Sequence, residues 1–260
     1  MKRRQFVASL AIGIAIIAVG GCGKKESQGE GQAEAPAGKV IEVAVTPASP
    51  PNLFEENGKT QGLDYDIFDG YCKSRGCTMH ITDYDWQGML GAVVAKKADV
   101  AFSGISITDP RKKVMDFSQP YMDNSWNLVS MKSRNIKLAN LDTLKNYTIG
   151  FPRGMAYMDF IKTNLEPKGI YKTDQVKLYP SYNEALTDLR NGQVDLVFLD
   201  GTVASVYRKK LPVQDSYVFE GIDKLGFAFP KGSTLRPDFD KYLDELGPKG
   251  RQAIIDKWMK

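Results

Sequence analysis

The chain has 260 residues, a formal net charge of +4 and three cysteines. Three of its cations, Lys2, Arg3 and Arg4, fall in the first 21 residues beside no acid, so the remainder carries +1. With no net positive field and no long Lys/Arg run, nucleic acid is excluded as the expected partner, and small ligands are the class to consider.

An apolar run of 14 residues, Phe6 to Val19, follows the basic start. It is short of the roughly 20 residues that a bilayer core needs, and Gly20 and Gly21 end it at once, so residues 1–21 read as a removed signal peptide. Val19-Gly20-Gly21-Cys22 resembles a bacterial lipobox, which implies a lipid on Cys22 as the new N-terminus; an ordinary signal peptide with a cysteine at its border is the alternative. Lys2-Arg3-Arg4-Gln5-Phe6 is close to a twin-arginine signal and also fits a plain basic region, so both export routes stay open. Residues 22–38 form a linker of Gly, Ser, Gln, Glu, Ala and Lys with one Pro, which cannot bury apolar area and should stay disordered. Its sixteen residues after Cys22 span about 20 Å as a flexible coil.

About 220 residues remain, enough for one large or two small cores. Val40 to Val45 reads as a buried strand, Asp64 to Arg75 as a helix with Tyr65, Ile67, Phe68 and Tyr71 on one face, and Thr78 to Thr82 as a second strand. A helix from Trp86 to Lys96, burying Met89, Leu90, Val93 and Val94, leads to a strand from Asp99 to Ser103. After a strand at Asn127 to Met131 the pattern repeats: strand Thr148 to Phe151, helix Met155 to Asn164, strand Val176 to Tyr179, helix Tyr182 to Asn191, strand Asp195 to Leu199. Strands separated by helices of this length predict right-handed βαβ units and mainly parallel sheets. A strand at Leu225 to Lys231 precedes a helical segment from Leu235 to Met259, which Gly247-Pro248 divides in two.

Cys72 and Cys77 lie either side of a helix-to-strand turn and form a candidate local disulfide in an oxidising compartment, with free thiols as the alternative. No metal site is expected, because His80 is the single histidine and no further cysteine completes a set. One histidine inside a strand also argues against a Ser-His-Asp or Cys-His nucleophile, and no phosphate-binding glycine loop is present.

Four segments in fixed order, Gln61-Gly62-Leu63-Asp64-Tyr65-Asp66, Asp85-Trp86-Gln87-Gly88-Met89-Leu90, Ser103 to Arg111, and Asp116-Phe117-Ser118-Gln119-Pro120-Tyr121, resemble the type-2 periplasmic solute-binding family of the amino-acid ABC importers. The resemblance runs from about Val40 to the end and rests on strand spacing more than motif in the second half. It implies two α/β lobes, each a mainly parallel sheet flanked by helices, with hinged closure on a ligand between them. The lobes are drawn as residues 39–129 plus 228–260 and residues 130–227, with crossing strands near Val129 to Met131 and Gly226 to Phe229.

A zwitterionic amino acid offers a carboxylate and an ammonium, and burying either without a partner is costly. The resemblance assigns the carboxylate to Arg111, whose guanidinium can fork two donors onto it, against the alternative of a surface arginine like Lys112 and Lys113. It assigns the ammonium to Asp200, which could instead cap the next helix. Ser106 and the Gly104 carbonyl complete the polar ring, and Trp86 stacks on the ligand or packs in the core. Two departures concern the ligand. Where the family shows small hydroxyl residues this chain has Arg153-Gly154-Met155-Ala156, so backbone N–H groups near Met155 can serve while Arg153 either adds a cation for an acidic ligand or faces solvent. Near Ala48-Ser49-Pro50-Pro51, where an aromatic often covers the ligand, none occurs before Phe54.

The function so implied is the monomeric, lipid-tethered, extracytoplasmic binding component of an ABC importer, handing a polar amino acid to a permease without cofactor or catalysis. A dehydratase acting on prephenate-like substrates is the enzymatic alternative on this fold, although Asp200-Gly201-Thr202-Val203 offers no glutamate beside Asp200. A ligand sensor is the third reading.

Overall fold

A computed structural model describes residues 38–260. The signal peptide, Cys22 and all but the last residue of the linker lie outside the described residues. The first part of the chain comprises β1 (Val40–Val45), the short strands β2 (Ala48–Ser49), β3 (Leu53–Glu56) and β4 (Lys59–Gln61), α1 (Leu63–Arg75), β5 (Thr78–Asp83), α2 (Trp86–Val94), β6 (Val100–Ser106), a single turn α3 (Asp109–Lys112) and β7 (Met115–Phe117). Long strand β8 (Met122–Met131) leads into β9 (Ile149–Pro152), α4 (Tyr157–Phe160), β10 (Val176–Tyr179), α5 (Tyr182–Arg190), β11 (Leu196–Asp200) and α6 (Gly201–Lys210). The 18-residue β12 (Val213–Pro230) and then α7 (Leu235–Met259) end the described chain.

The two-lobe α/β arrangement follows from strand order. One continuous sheet runs β10-β9-β11-β8-β12-β6-β1-β5, with β7 also paired to β12. Pairs made through βαβ units are parallel, β1 with β5 and β6 on one side and β9 with β10 and β11 on the other. The crossing strands β8 and β12 pair antiparallel with each other and join the two halves. Buried at every residue, β6 has the continuous run expected of a strand covered on both faces.

Local chemistry places the helices. The Asp85 carboxylate caps α2 by accepting from Gly88 N at 2.6 Å, and the Ser181 hydroxyl caps α5 by accepting from Asn183 N at 3.1 Å. Gly76 closes α1 in the left-handed region at φ 68°, a conformation that costs glycine little. One apolar cluster joins α1, β1 and α7, where Phe239 is fully buried and packs its ring against Phe68, Tyr71, Phe227, Phe229 and Tyr242. A second fills the other lobe and continues through Trp86 and Met89 onto the α2 side of the first.

Several expectations are corrected. The helix expected over Met155 to Asn164 is α-helical only at Tyr157–Phe160 and continues as a wider π-turn over Ile161–Leu165 before Pro167. Val94, expected inside, is exposed, whereas Asp64 on α1 is fully buried. The strand expected at Leu225 to Lys231 is the last third of β12, and β2 to β4 and α6 carry too little periodicity to be anticipated. Gly247, at φ 65° and ψ 175°, does break the C-terminal segment. The expected bridge between Cys72 and Cys77 is not formed. Both are buried free thiols around the Gly76 cap, with Cys77 N donating to Cys72 O at 3.0 Å, and burial raises both thiols and keeps them protonated.

Because α7 returns from the second crossing to complete the first core, Phe239→Ala should destabilise the protein by about 3–5 kcal/mol, read from the urea midpoint, with Phe239→Leu costing far less. A loss below about 1 kcal/mol for the alanine variant would contradict the packing described.

Candidate functional site

The C-terminal end of β6 delivers Gly104 and Ser106 to the interlobe cleft, and the next turn, α3, carries Arg111. Thr108 caps that turn, its hydroxyl accepting from Arg111 N at 3.4 Å. Arg111 is buried and divides its donors between the lobes: Nη1 to Ser106 O at 2.9 Å, and Nη2 to Gly154 O, after β9, at 3.0 Å. Its guanidinium carbon lies 5.7 Å from the Trp86 ring centroid. Burial lowers the Arg111 pKa, partly offset by the charges of Asp223 and Asp200.

Asp200 ends β11 at the N-cap position of α6, yet its side chain makes no capping bond. Instead it accepts from Asn124 Nδ2 at 3.2 Å and from the Tyr182 hydroxyl at 3.0 Å, which in turn pairs with the Tyr157 hydroxyl at 2.8 Å. Burial first, and then the charge of Asp223, push Asp200 up to about 7.

Asp223, on β12, is the central residue that sequence patterning missed. Its Oδ2 accepts from Asn124 Nδ2 at 2.8 Å, Trp126 Nε1 at 3.0 Å and Ser106 Oγ at 3.1 Å. A continuous path therefore runs from Arg111 through Ser106, Asp223 and Asn124 to Asp200, so the two residues assigned to opposite ends of an amino acid converge on one network. Asn124 also accepts from Thr202 N at 3.4 Å.

Behind this network Asp64 accepts from Gly104 N and from the Tyr121 hydroxyl, both at 2.6 Å. Gly104 is required there: at φ 72°, a side chain would place Cβ 2.3 Å from Asn52 Nδ2. That amide donates to Thr202 Oγ1 at 2.9 Å, while buried Asn52 Oδ1 accepts no hydrogen bond among the described residues. The motif Gly62-Leu63-Asp64 hinted at Asp64, a carboxylate at a position where helical periodicity calls for an apolar residue.

Trp86 and Met155 are buried and line one small cavity with Thr46, Pro152, Ser181 and Tyr182. Trp86 Nε1 donates to Gly154 O at 3.1 Å. The cavity holds about 20 Å³, room for about one water, so an amino acid requires the lobes to part here. Arg153 is exposed, and its side chain makes no hydrogen bond or ion pair among the described residues, because the turn after β9 directs Gly154, not Arg153, at α2. The structure does not bring it into the network.

Burial lifts Asp64 to about 7 from 3.8, so the folded chain keeps a proton there that the unfolded chain has released. Its contribution to stability is whole below about pH 4 and is lost as pH rises through about 7. Asp64→Asn should therefore gain on the wild type by ~4 kcal/mol across that window in urea titrations, and a pH-independent difference would rule this out.

Residues 41–260 match the model of the bacterial extracellular solute-binding proteins, family 3. The chain is 32% identical over 229 residues to an arginine-binding periplasmic protein of Mannheimia haemolytica, covering 84% of this chain and 90% of that one. It is also similar to a solved ancestral arginine-binding protein bound to arginine, at TM-score 0.76 and 30% identity over 85% of this chain and 98% of that one. An ancestral amino-acid-binding protein described as a precursor of cyclohexadienyl dehydratase aligns at TM-score 0.74 and 25% identity, over 85% and 95%.

Proposed function

Since the chain belongs to the bacterial extracellular solute-binding proteins, family 3, we propose that it captures an amino acid between its lobes and presents it to a membrane ABC permease. The observation that carries this reading is the single hydrogen-bonded path linking buried Arg111 to buried Asp200. On lobe opening, Arg111 exchanges its two carbonyl acceptors for the ligand carboxylate, where charge-assisted donation is stronger. Asp200 takes the α-ammonium, held in place by Tyr182 and Asn124. Trp86, Gly104, Ser106 and Met155 form the surrounding walls, and Arg153 is assigned no contact. The lobe boundaries drawn from the sequence, at residues 129 and 227, belong to this proposal.

The same reading tethers the protein through a lipid on Cys22, which keeps a monomeric receptor close to its permease. Support comes from the Val19-Gly20-Gly21-Cys22 pattern and the spacer after it. A bridge between Cys72 and Cys77 is not part of the proposal.

Calorimetry on ligand-stripped protein with a panel of amino acids tests the binding role. At least one should bind in the micromolar range or tighter, and Arg111→Met should weaken it by about 100-fold or more while the protein stays folded. No binding by any member would end the amino-acid reading, and turnover of prephenate or arogenate would replace it with the dehydratase. For the anchor, the wild type should partition into detergent and Cys22→Ser into the aqueous phase; identical partitioning of the two would remove the lipid from the account.

A further inference from the structure

Arg111, Asp200 and Asp223 are 8%, 2% and 4% exposed. Among the described residues none of them takes part in an ion pair. The groups that face Asp223 are neutral donors from two strands, Ser106 of β6 and Asn124 and Trp126 of β8, and those that face Asp200 are Tyr182, Tyr157 and Asn124. Lys224, next in sequence to Asp223, turns outward to Asp123 at 2.8 Å. The Asp64 oxygens, nearby on α1, are occupied by Tyr121 and Gly104. Two carboxylates of the network, with Asp64 a third buried behind it, thus stand against one buried guanidinium, and all three carboxyls are raised by burial.

An unbalanced buried charge is costly, and it is relieved by a proton or by a counter-charge. A zwitterion of net zero charge adds one charge of each sign and leaves the imbalance as it was. An amino acid with a cationic side chain removes it. The orphan acceptor Asn52 Oδ1, beside Gly104 and Thr202, adds a place for a further N–H donor.

The geometry points to Asp223 as a specificity-determining residue: with Asp200 it forms a carboxylate pair, bridged by Asn124, that selects a ligand of net positive charge. This rests on the amino-acid reading of the cleft. Asp223 acts from the crossing strand β12, so the same carboxylate that reads ligand charge also holds Ser106 and Trp126. Its register with β8 breaks between Phe219 and Asp223, which places the pair at the join between the lobes.

The test compares L-arginine and L-lysine with the uncharged L-citrulline and L-glutamine, by calorimetry on the wild type and on Asp223→Asn. The substitution keeps the size and an acceptor oxygen while removing the charge. The wild type should favour the cationic ligands by about 30-fold or more, and Asp223→Asn should shrink that ratio to about threefold, over and above any loss that both classes share because Asp223 also holds Ser106, Asn124 and Trp126. Wild-type binding of citrulline or glutamine as tightly as arginine or lysine overturns the proposal, whether or not the variant folds. Equal loss for both classes in a variant that is folded by circular dichroism also overturns it, because Asp223 would then be purely structural. Absence of binding to every amino acid by the wild type is a different failure, that of the cleft reading itself.

Discussion

A single carboxylate oxygen, Asp223 Oδ2, accepts hydrogen bonds from Ser106, Asn124 and Trp126. The donors come from the end of a buried parallel strand and from the first crossing strand, and the acceptor from the second. Leaving such a group buried and unsatisfied would cost about 1–3 kcal/mol or more, so the three segments are held in one arrangement. Ser106 in turn fixes Arg111 through its carbonyl, and Asn124 fixes Asp200. The positions of both predicted ligand-binding charges therefore depend on a residue that lies between the lobes.

Beside the apolar contact of Trp86 with the other lobe, a few polar contacts cross the cleft among the described residues. Gly154 O accepts from Arg111 and Trp86, and Asn52 donates to Thr202. Hydrogen bonds of this kind contribute about 0.5–1.5 kcal/mol each, which suits the breaking and remaking of contacts that the proposed capture of a ligand between the lobes calls for. Trp86 and Met155 sit where the lobes meet, so Trp86 is both a packed side chain and a wall of the cleft.

Asp200 is held by phenols from two helices of its lobe. Tyr182 reaches it from the start of α5, and Tyr157 reaches Tyr182 from α4. An aromatic hydroxyl also brings a large apolar face, and Tyr157 uses it to stack on Phe198 at 4.6 Å.

By itself the sequence determined the fold class and the identity of most strands and helices, which follow from the alternation of helix and strand; that Arg111 and Asp200 share one site was what the family resemblance implied. The sequence could not reach Asp223, Asn124 or Asn52, because their roles exist only through pairings between residues far apart in the chain, such as Asp223 opposite Asn124 across β12 and β8. Nor could it settle the even choice at Arg153, which turns on which backbone atom of one tight turn faces α2. Only the tertiary structure decided the charge balance of the cleft, since a carboxylate becomes part of a site when folding strips its water and sets its neighbours, and neither is written in local sequence.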